Sequence, residues 1–191
     1  MGNSTDVVGE AGEFADPARG ALPAQLLAAL AGAYRDAGLA SSAAPVREAE
    51  SAEYGACRLG LAGLSVAFRV AKTTPTKIGQ FVTIWKRPTP QAEIAPLDGA
   101  DGVDVVVVSV AEAGPGGRHG QFVFDRAVLL AKGVMSRGGV GGKRALRVYP
   151  PWTVPVAKDA IRTQRWQLAC FVPLRNDGGA DPARLRALLN L

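Results

Sequence analysis

The chain has 191 residues and is 48 % hydrophobic, which suits one domain of ordinary size with a substantial core. It has no apolar run long enough for a bilayer and no signal-peptide pattern at its start, so we expect a cytoplasmic protein without a membrane partner. The net charge of +5 is unevenly distributed: residues 1–53 hold 3 basic and 8 acidic side chains (−5), whereas residues 54–175 hold 17 and 7 (+10). Such a basic segment favours a polyanionic partner.

The N-terminal part of the chain divides into a tail, a helix and a linker. Residues 1–20 are acidic and poor in large apolar side chains, and we expect a disordered tail there. A single α/β domain is expected to follow at residues 21–191, with its core at 54–175. Helical spacing of apolar residues predicts a helix over residues 22–38, and a linker is expected over Ser41–Arg47.

From Tyr54 the apolar pattern changes to a period of two, which is typical of strands. Cys57–Leu61 and residues 65–71 are predicted to form a hairpin, and residues 78–86 the next strand. The continuous apolar run over residues 103–110 is expected to be a central strand that is covered on both faces.

The C-terminal half alternates strands and helices. Strands are predicted over residues 121–124 and 145–149, with Asp125 capping a two-turn helix that ends at Gly133. Helices are predicted over residues 158–171 and 182–189. The element order indicates a mixed α/β (α+β) domain with a single, mainly antiparallel sheet flanked by helices. Cys57 and Cys170 are expected to be buried free thiols.

Two segments combine basic and aromatic side chains, namely residues 69–87, which contain no carboxylate, and residues 143–152. Lys and Arg neutralise phosphates, and aromatic faces stack on exposed bases at about 1–3 kcal/mol per base. Phe81 is expected to be a core residue. The candidate nucleic-acid-binding residues are Arg69, Lys72, Lys77, Trp85, Lys86, Arg87, Lys143, Arg144, Arg147, Tyr149 and Trp152.

Catalytic motifs are missing from the sequence. One histidine, His119, and two distant cysteines do not make a zinc site, and the glycine-rich residues 138–144 lack the first Gly and the Ser or Thr of a phosphate-binding loop. Nucleases of the restriction-enzyme type place an acidic residue two positions before a Lys. Every Lys and Arg of this chain lacks one.

Acidic residues supply only weak catalytic candidates, Asp104 with Glu53 or Glu50. Asp98, Asp101 and Asp104 are close in sequence and are expected to form turns, with a magnesium or manganese site as the alternative. We therefore expect no metal and no cofactor, unless the chain is a divergent nuclease that uses Mg²⁺ or Mn²⁺.

The same basic and aromatic segments resemble the bacterial MepB-like family. The similarity runs from about residue 54 to residue 171, and it is carried by the stretches 53–56, 68–86, 120–124, 142–152 and 163–167. The resemblance implies a fold similar to restriction-endonuclease-like α/β domains. No activity is established for the family, so the resemblance implies no catalytic residues.

The leading hypothesis is a nucleic-acid-binding protein on a nuclease-like scaffold, with DNA or RNA as its partner. One alternative is a divergent metal-dependent nuclease. The other is a binder of a nucleotide or another anionic small molecule, in which Arg69, Arg147 and Tyr149 line a closed pocket. An open basic face would favour the leading hypothesis.

Overall fold

Eleven strands and four α-helices lie within residues 20–191, which the computed structural model describes; the expected tail lies outside the described residues except for Gly20. The strands are β1 Ser41–Arg47, β2 Cys57–Leu61, β3 Leu64–Val70, β4 Lys72–Thr74, β5 Lys77–Thr83, β6 Trp85–Lys86, β7 Ala95–Pro96, β8 Val105–Ala111, β9 His119–Asp125, β10 Ala145–Val148 and β11 Phe171–Leu174. The helices are α1 Ala24–Ala29, α2 Arg126–Ala131, α3 Lys158–Leu168 and α4 Pro182–Leu188.

The main sheet has six strands in the order β1-β2-β3-β8-β9-β11. Its neighbours are antiparallel except for β3 and β8, which are parallel. This arrangement confirms the predicted mixed α/β class with a mainly antiparallel sheet flanked by helices, although two smaller sheets accompany the single sheet that was expected. The first six residues of β8 are all buried, so the predicted central strand is confirmed as well.

A core lies on each face of the main sheet. On one face, Leu26 of α1, Tyr34 of the π-helical turn Leu30–Tyr34 that continues α1, and Leu185 of α4 pack on alternate strand residues such as Val107. The Tyr34 hydroxyl donates a hydrogen bond of 2.9 Å to Oε1 of the buried Gln121, and burial raises the pKa of Tyr34.

The other face of the main sheet is covered by a second sheet. Its three strands have the order β10-β5-β4, and its inward side chains include Val82 and Val148. Leu129 of α2 belongs to the same core. A third, two-stranded sheet pairs β6 with β7. The domain therefore has α1 and α4 on one side of the main sheet, and the small second sheet with α2 and α3 on the other.

Two elements differ from the sequence prediction. The expected linker Ser41–Arg47 is the edge strand β1, and Pro45 is its one buried residue, so no period-two apolar pattern marked it. The helix predicted to end at Phe171 ends at Leu168, and Phe171–Leu174 pairs with β9 instead. The apolar residues of β11 also fit the pattern of a continuing amphipathic helix, so the sequence did not show where α3 ends and β11 begins.

Several local predictions are confirmed. Asp125 caps α2, because its carboxylate accepts a hydrogen bond of 2.6 Å from Val128 N, and Gly133 follows with a φ of +63°. Cys57 and Cys170 are buried free thiols. Between residues 20 and 191, the helices are all too short or too polar to cross a membrane.

Candidate nucleic-acid interface

The outer face of the second sheet carries one row of side chains across all three strands. Phe81 on β5 is paired with Lys72 on β4 and with Arg147 on β10, so the three side chains lie on the same face. Their neighbours Val82 and Val148 point inward to the core. The register therefore brings together residues that are up to 75 positions apart in the sequence.

Aromatic rings and cations contact one another along this row. The rings of Tyr54 and Phe81 meet edge to face at 5.9 Å, Lys72 Nζ lies 5.0 Å from the Tyr54 ring centre, and Arg147 Cζ lies 5.7 Å from the Phe81 ring centre. Cation–π contacts at exposed sites contribute about 0.5–1 kcal/mol each. We call Tyr54, Lys72, Phe81 and Arg147 the cation–aromatic row. The expectation that Phe81 is a core residue is wrong, because its ring lies half-buried on the outer face.

Arg147 is fixed by the adjoining ends of β4 and β5. Its Nη1 donates to Thr74 Oγ1 and to the Gly79 carbonyl at 3.1 Å each, and two longer contacts of 3.4 Å reach the carbonyls of Lys77 and Ile78. These hydrogen bonds all use Nη1. Between residues 20 and 191, Nη2 and Nε of Arg147 make no hydrogen bond, so they are available to a ligand.

Tyr149 extends the row at the end of β10. A methyl group added at Gly79 would lie 2.7 Å from Cδ1 of Tyr149, which shows that the ring rests directly on the glycine backbone. Gly79 also has a φ of +83°, which side chains rarely adopt. Glycine at position 79 is therefore required twice, by the backbone conformation and by the tyrosine ring.

Helix α3 protects the free edge of β10. The buried Gln167 accepts from Tyr149 N and donates to the Arg147 carbonyl, both at 2.9 Å, and so satisfies the backbone groups that a further strand would otherwise take. Nothing in the sequence pattern marked Gln167 for this role. Lys158 and Arg165 of α3 are exposed, so the helix adds positive charge beside the sheet.

Five of the predicted binding residues lack a carboxylate partner within the described part of the chain: Lys72, Lys77, Lys143, Arg144 and Arg147. All are exposed except Arg147, which is half-buried. An ion pair would offset the charge of each side chain. Because these five have no carboxylate partner, their positive potential can attract an anionic ligand.

Three other predicted binding residues are engaged in ion pairs. Arg69 is only 1 % exposed and pairs with Glu48 at 2.6 Å, and burial lowers its pKa while Glu48 acts in the opposite direction. Arg87 pairs with Glu50 at 2.9 Å, and Lys86 pairs with Asp101. These three residues fasten neighbouring segments together, and the buried Arg69 cannot line a pocket with Arg147 and Tyr149.

The two predicted tryptophans lie apart from the row. Trp85 is half-buried, and the guanidinium carbon of Arg87 is 5.7 Å from its ring centre. Trp152 packs edge to face on Phe171 at 5.9 Å, beside a cleft of about 260 Å³ that Arg118 also lines. Neither ring has a contact with the cation–aromatic row among the aromatic contacts of the described residues.

The weak catalytic candidates lie at opposite ends of β3. Asp104 accepts a hydrogen bond of 2.9 Å from Ser65 N and lies 3.5 Å from Arg126, so it fastens the first residues of β3 and β8. Glu53 precedes Tyr54 and Gly55, and Gly55 packs on Val70 at the other end of β3. Five residue steps separate Ser65 from Val70, or about 16 Å along the strand. The structure does not bring Asp104 and Glu53 together.

The remaining acidic candidates hold a loop in place. Asp98 accepts hydrogen bonds from Gly139 N, Ser136 Oγ and Ala100 N, and these bonds hold its pKa well below the usual range. Asp98 and Asp101 therefore form turns, as predicted. Among residues 20–191, no three His, Cys, Asp or Glu side chains are grouped as a metal site would need.

Comparison with known proteins gives a family and a structural relative. Residues 48–173 match the family model described as MepB-like. The structure is similar to a crystal structure of MepB, with a TM-score of 0.63 and 30 % sequence identity over 69 % of this chain and 85 % of that chain. No curated protein matches the sequence significantly.

Proposed function

The chain belongs to the MepB-like family, and from that premise and the geometry of the second sheet we propose that it is a nucleic-acid-binding protein. The single observation that carries the proposal is the row in which Phe81 lies between Lys72 and Arg147. Neither cation is paired with a carboxylate in the described residues. An aromatic ring between two free cations suits a phosphate backbone with a base above the ring.

The fixed guanidinium of Arg147 is suited to a phosphate. Its Nη1 is held by Thr74 of β4 and Gly79 of β5, and within residues 20–191 Nη2 and Nε make no hydrogen bond, so they can donate to a ligand. Arg presents such donors in a rigid plane that matches phosphate oxygens, and little side-chain entropy is lost on binding when the group is already fixed. Lys72 supplies a second, more mobile charge on the opposite side of Phe81.

Further free cations extend the surface along β5. Lys77 begins this strand, whereas Lys143 and Arg144 precede β10, whose first residue Ala145 pairs with Thr83 at the other end of β5. A strand of this length spans about 20 Å. That distance corresponds to about six phosphates of one duplex strand at 3.4 Å each. The proposed contact is therefore an extended groove or face rather than a closed pocket.

Fluorescence anisotropy tests the proposal. Labelled single- and double-stranded DNA and RNA are titrated at two salt concentrations, with and without Mg²⁺. We expect binding that weakens as salt is raised, because phosphate contacts release counterions. No binding to any probe at low salt would refute the proposal. Loss of intact probe only with Mg²⁺ would support the divergent nuclease instead.

A further inference from the structure

The glycine-rich residues 137–142 form a miniature hairpin. Gly138 and Gly139 have φ values of +58° and +79°, as in the two-residue turns that join antiparallel strands. Arg137 and Val140 exchange two backbone hydrogen bonds of 3.1 Å. Because they are directly paired, their side chains stand next to each other on one side of the turn. The other four residues are glycines, so the hairpin is thin.

The hairpin is held in place by contacts with Asp98, Ser136 and Pro96. Asp98 Oδ2 accepts hydrogen bonds from Gly139 N at 2.9 Å and from Ser136 Oγ at 2.6 Å. Gly142 packs on Pro96, where an added methyl group would come within 2.6 Å of Pro96 Cβ. These contacts fix the loop before any ligand arrives, which lowers the entropic cost of binding.

Val140 is exposed on this fixed loop. The residue is 77 % exposed, and the free energy that a valine contributes to folding scales with the apolar area that it removes from water. Folding therefore gains little from its apolar surface. Arg137, Lys143 and Arg144 surround it in sequence, are exposed, and have no carboxylate partner among the residues that the structure describes. The basic side chains can contact the charges of a polyanion while the valine contacts apolar groups inside it. This combination therefore fits a polyanion with an apolar interior.

We propose that this hairpin inserts Arg137 and Val140 into the minor groove of a nucleic-acid duplex, an inference that rests on the proposed function. The minor groove of B-form DNA is only about 6 Å wide. A loop made mostly of glycines is narrower than one with larger side chains, so it enters such a groove more readily. Apolar side chains wedge between base steps there, and arginine is attracted by the negative potential of a narrow groove. Lys143 and Arg144 then reach the flanking phosphates.

Other occupants of the hairpin fit less well. A single valine buries too little apolar area for stable attachment to a lipid surface, which needs a larger apolar group or a second anchor. A single strand has no groove for the paired Arg137 and Val140 to enter. Of the nucleic acids, double-stranded DNA therefore fits the hairpin best.

The test compares Val140→Ser with Val154→Ser. Val154 is 80 % exposed and lies beyond β10, outside the hairpin, so it controls for the loss of one exposed valine. We expect Val140→Ser to weaken binding of an A·T-rich duplex about tenfold and of the matching single strand less than twofold, while Val154→Ser changes neither. The minor-groove ligand netropsin should displace the wild-type protein. Melting temperatures should be unchanged, because both valines are exposed.

Equal duplex affinity of the wild type and Val140→Ser would overturn the inference, as would undiminished binding in saturating netropsin. Vesicles of anionic phospholipid serve as a further probe, and binding to them that depends on Val140 would also overturn it. If duplex binding is lost in Lys72→Glu but kept in Val140→Ser, the proposed function stands and the inference alone fails. If the wild type binds no nucleic acid, both fail.

Discussion

Arg147 Cζ lies 5.7 Å from the ring centre of Phe81, and Nη1 of the same arginine donates to the carbonyl of Gly79, two residues before Phe81 on β5. The guanidinium thus connects three strands of the second sheet through one side chain: β10, which carries it, β5 beneath it and Thr74 of β4. Arg147 is therefore both part of the proposed contact surface and part of the structure that shapes this surface.

Replacing Arg147 with alanine should lower stability as well as binding. The variant loses the hydrogen bonds to Thr74 and Gly79, and such bonds to a charged group are worth about 1.5–3 kcal/mol when buried. Since Arg147 is half-buried, we expect a decrease of about 1–2 kcal/mol in the free energy of unfolding, measured by urea denaturation. The control Arg144→Ala removes an exposed arginine that has no ion-pair partner among the described residues, and it should change stability by less than about 0.5 kcal/mol. Equal stability of the two variants would contradict the anchoring role.

Gly79→Ala should be more damaging than Gly63→Ala, which is a matched control. The two glycines have φ values of +83° and +82°, so the backbone penalty of about 1–2 kcal/mol is the same. At Gly63 the added methyl group meets nothing within 4 Å, whereas at Gly79 it overlaps the Tyr149 ring. We expect an additional loss of at least about 1 kcal/mol at position 79. Equal melting temperatures for the two variants would contradict the close packing at position 79, where the Tyr149 ring and the Val148 carbonyl oxygen both lie within 2.8 Å of the added methyl group.

Gln167→Leu should expose the edge of β10. The variant leaves Tyr149 N and the Arg147 carbonyl without partners at a buried position, which costs about 1–3 kcal/mol per group. We expect a lower melting temperature and faster hydrogen exchange of the Tyr149 amide. Gln25→Leu, at an exposed position of α1, is the control. Unchanged exchange at Tyr149 would mean that another group protects the edge.

Stability should depend on Asp98 at acid pH. The pKa of Asp98 is lowered in the folded protein from its ordinary 3.8, chiefly by the Gly139 N–H. A depressed pKa contributes stability that is fully present above the unfolded pKa and is lost as pH falls below it. Asp98→Asn should therefore be less stable than the wild type at pH 7, and the difference should shrink below about pH 4. Asp159→Asn, at an exposed position, is the control variant. A constant difference for Asp98→Asn would contradict the carboxylate's role.

The sequence predicted those parts of the fold that depend on local pattern. The valine run of β8 and the Asp125 cap could be recognised because each is encoded by adjacent residues. Strand β1 could not, since an edge strand with one buried residue has no alternating pattern. Basic residues along residues 69–87 suggested a polyanion partner, which stays a prediction.

Which basic residues are free could not be predicted. Arg69 and Lys72 are three positions apart, yet one is buried against Glu48 and the other is exposed beside Tyr54. The carboxylate partners of Arg69, Lys86 and Arg87 are 15 to 37 positions away, so only the tertiary structure assigns them. The row itself depends on the register of β4, β5 and β10, which no local pattern determines.

The most direct test of the proposed interface is the salt dependence of duplex binding for two double variants of equal net charge. Lys72→Gln/Arg147→Gln removes two cations from the row, whereas Arg35→Gln/Arg175→Gln removes two exposed arginines that each lie within 3.9 Å of Asp36, away from the second sheet. Each phosphate that a protein neutralises contributes about −0.9 to the slope of log K against log salt. If the two cations of the row each contact a phosphate, the slope of the first variant should therefore be shallower than that of the wild type by about 1.8. The second should keep the wild-type slope. Equal slopes for both variants would contradict the proposal that the outer face of the second sheet binds nucleic acid.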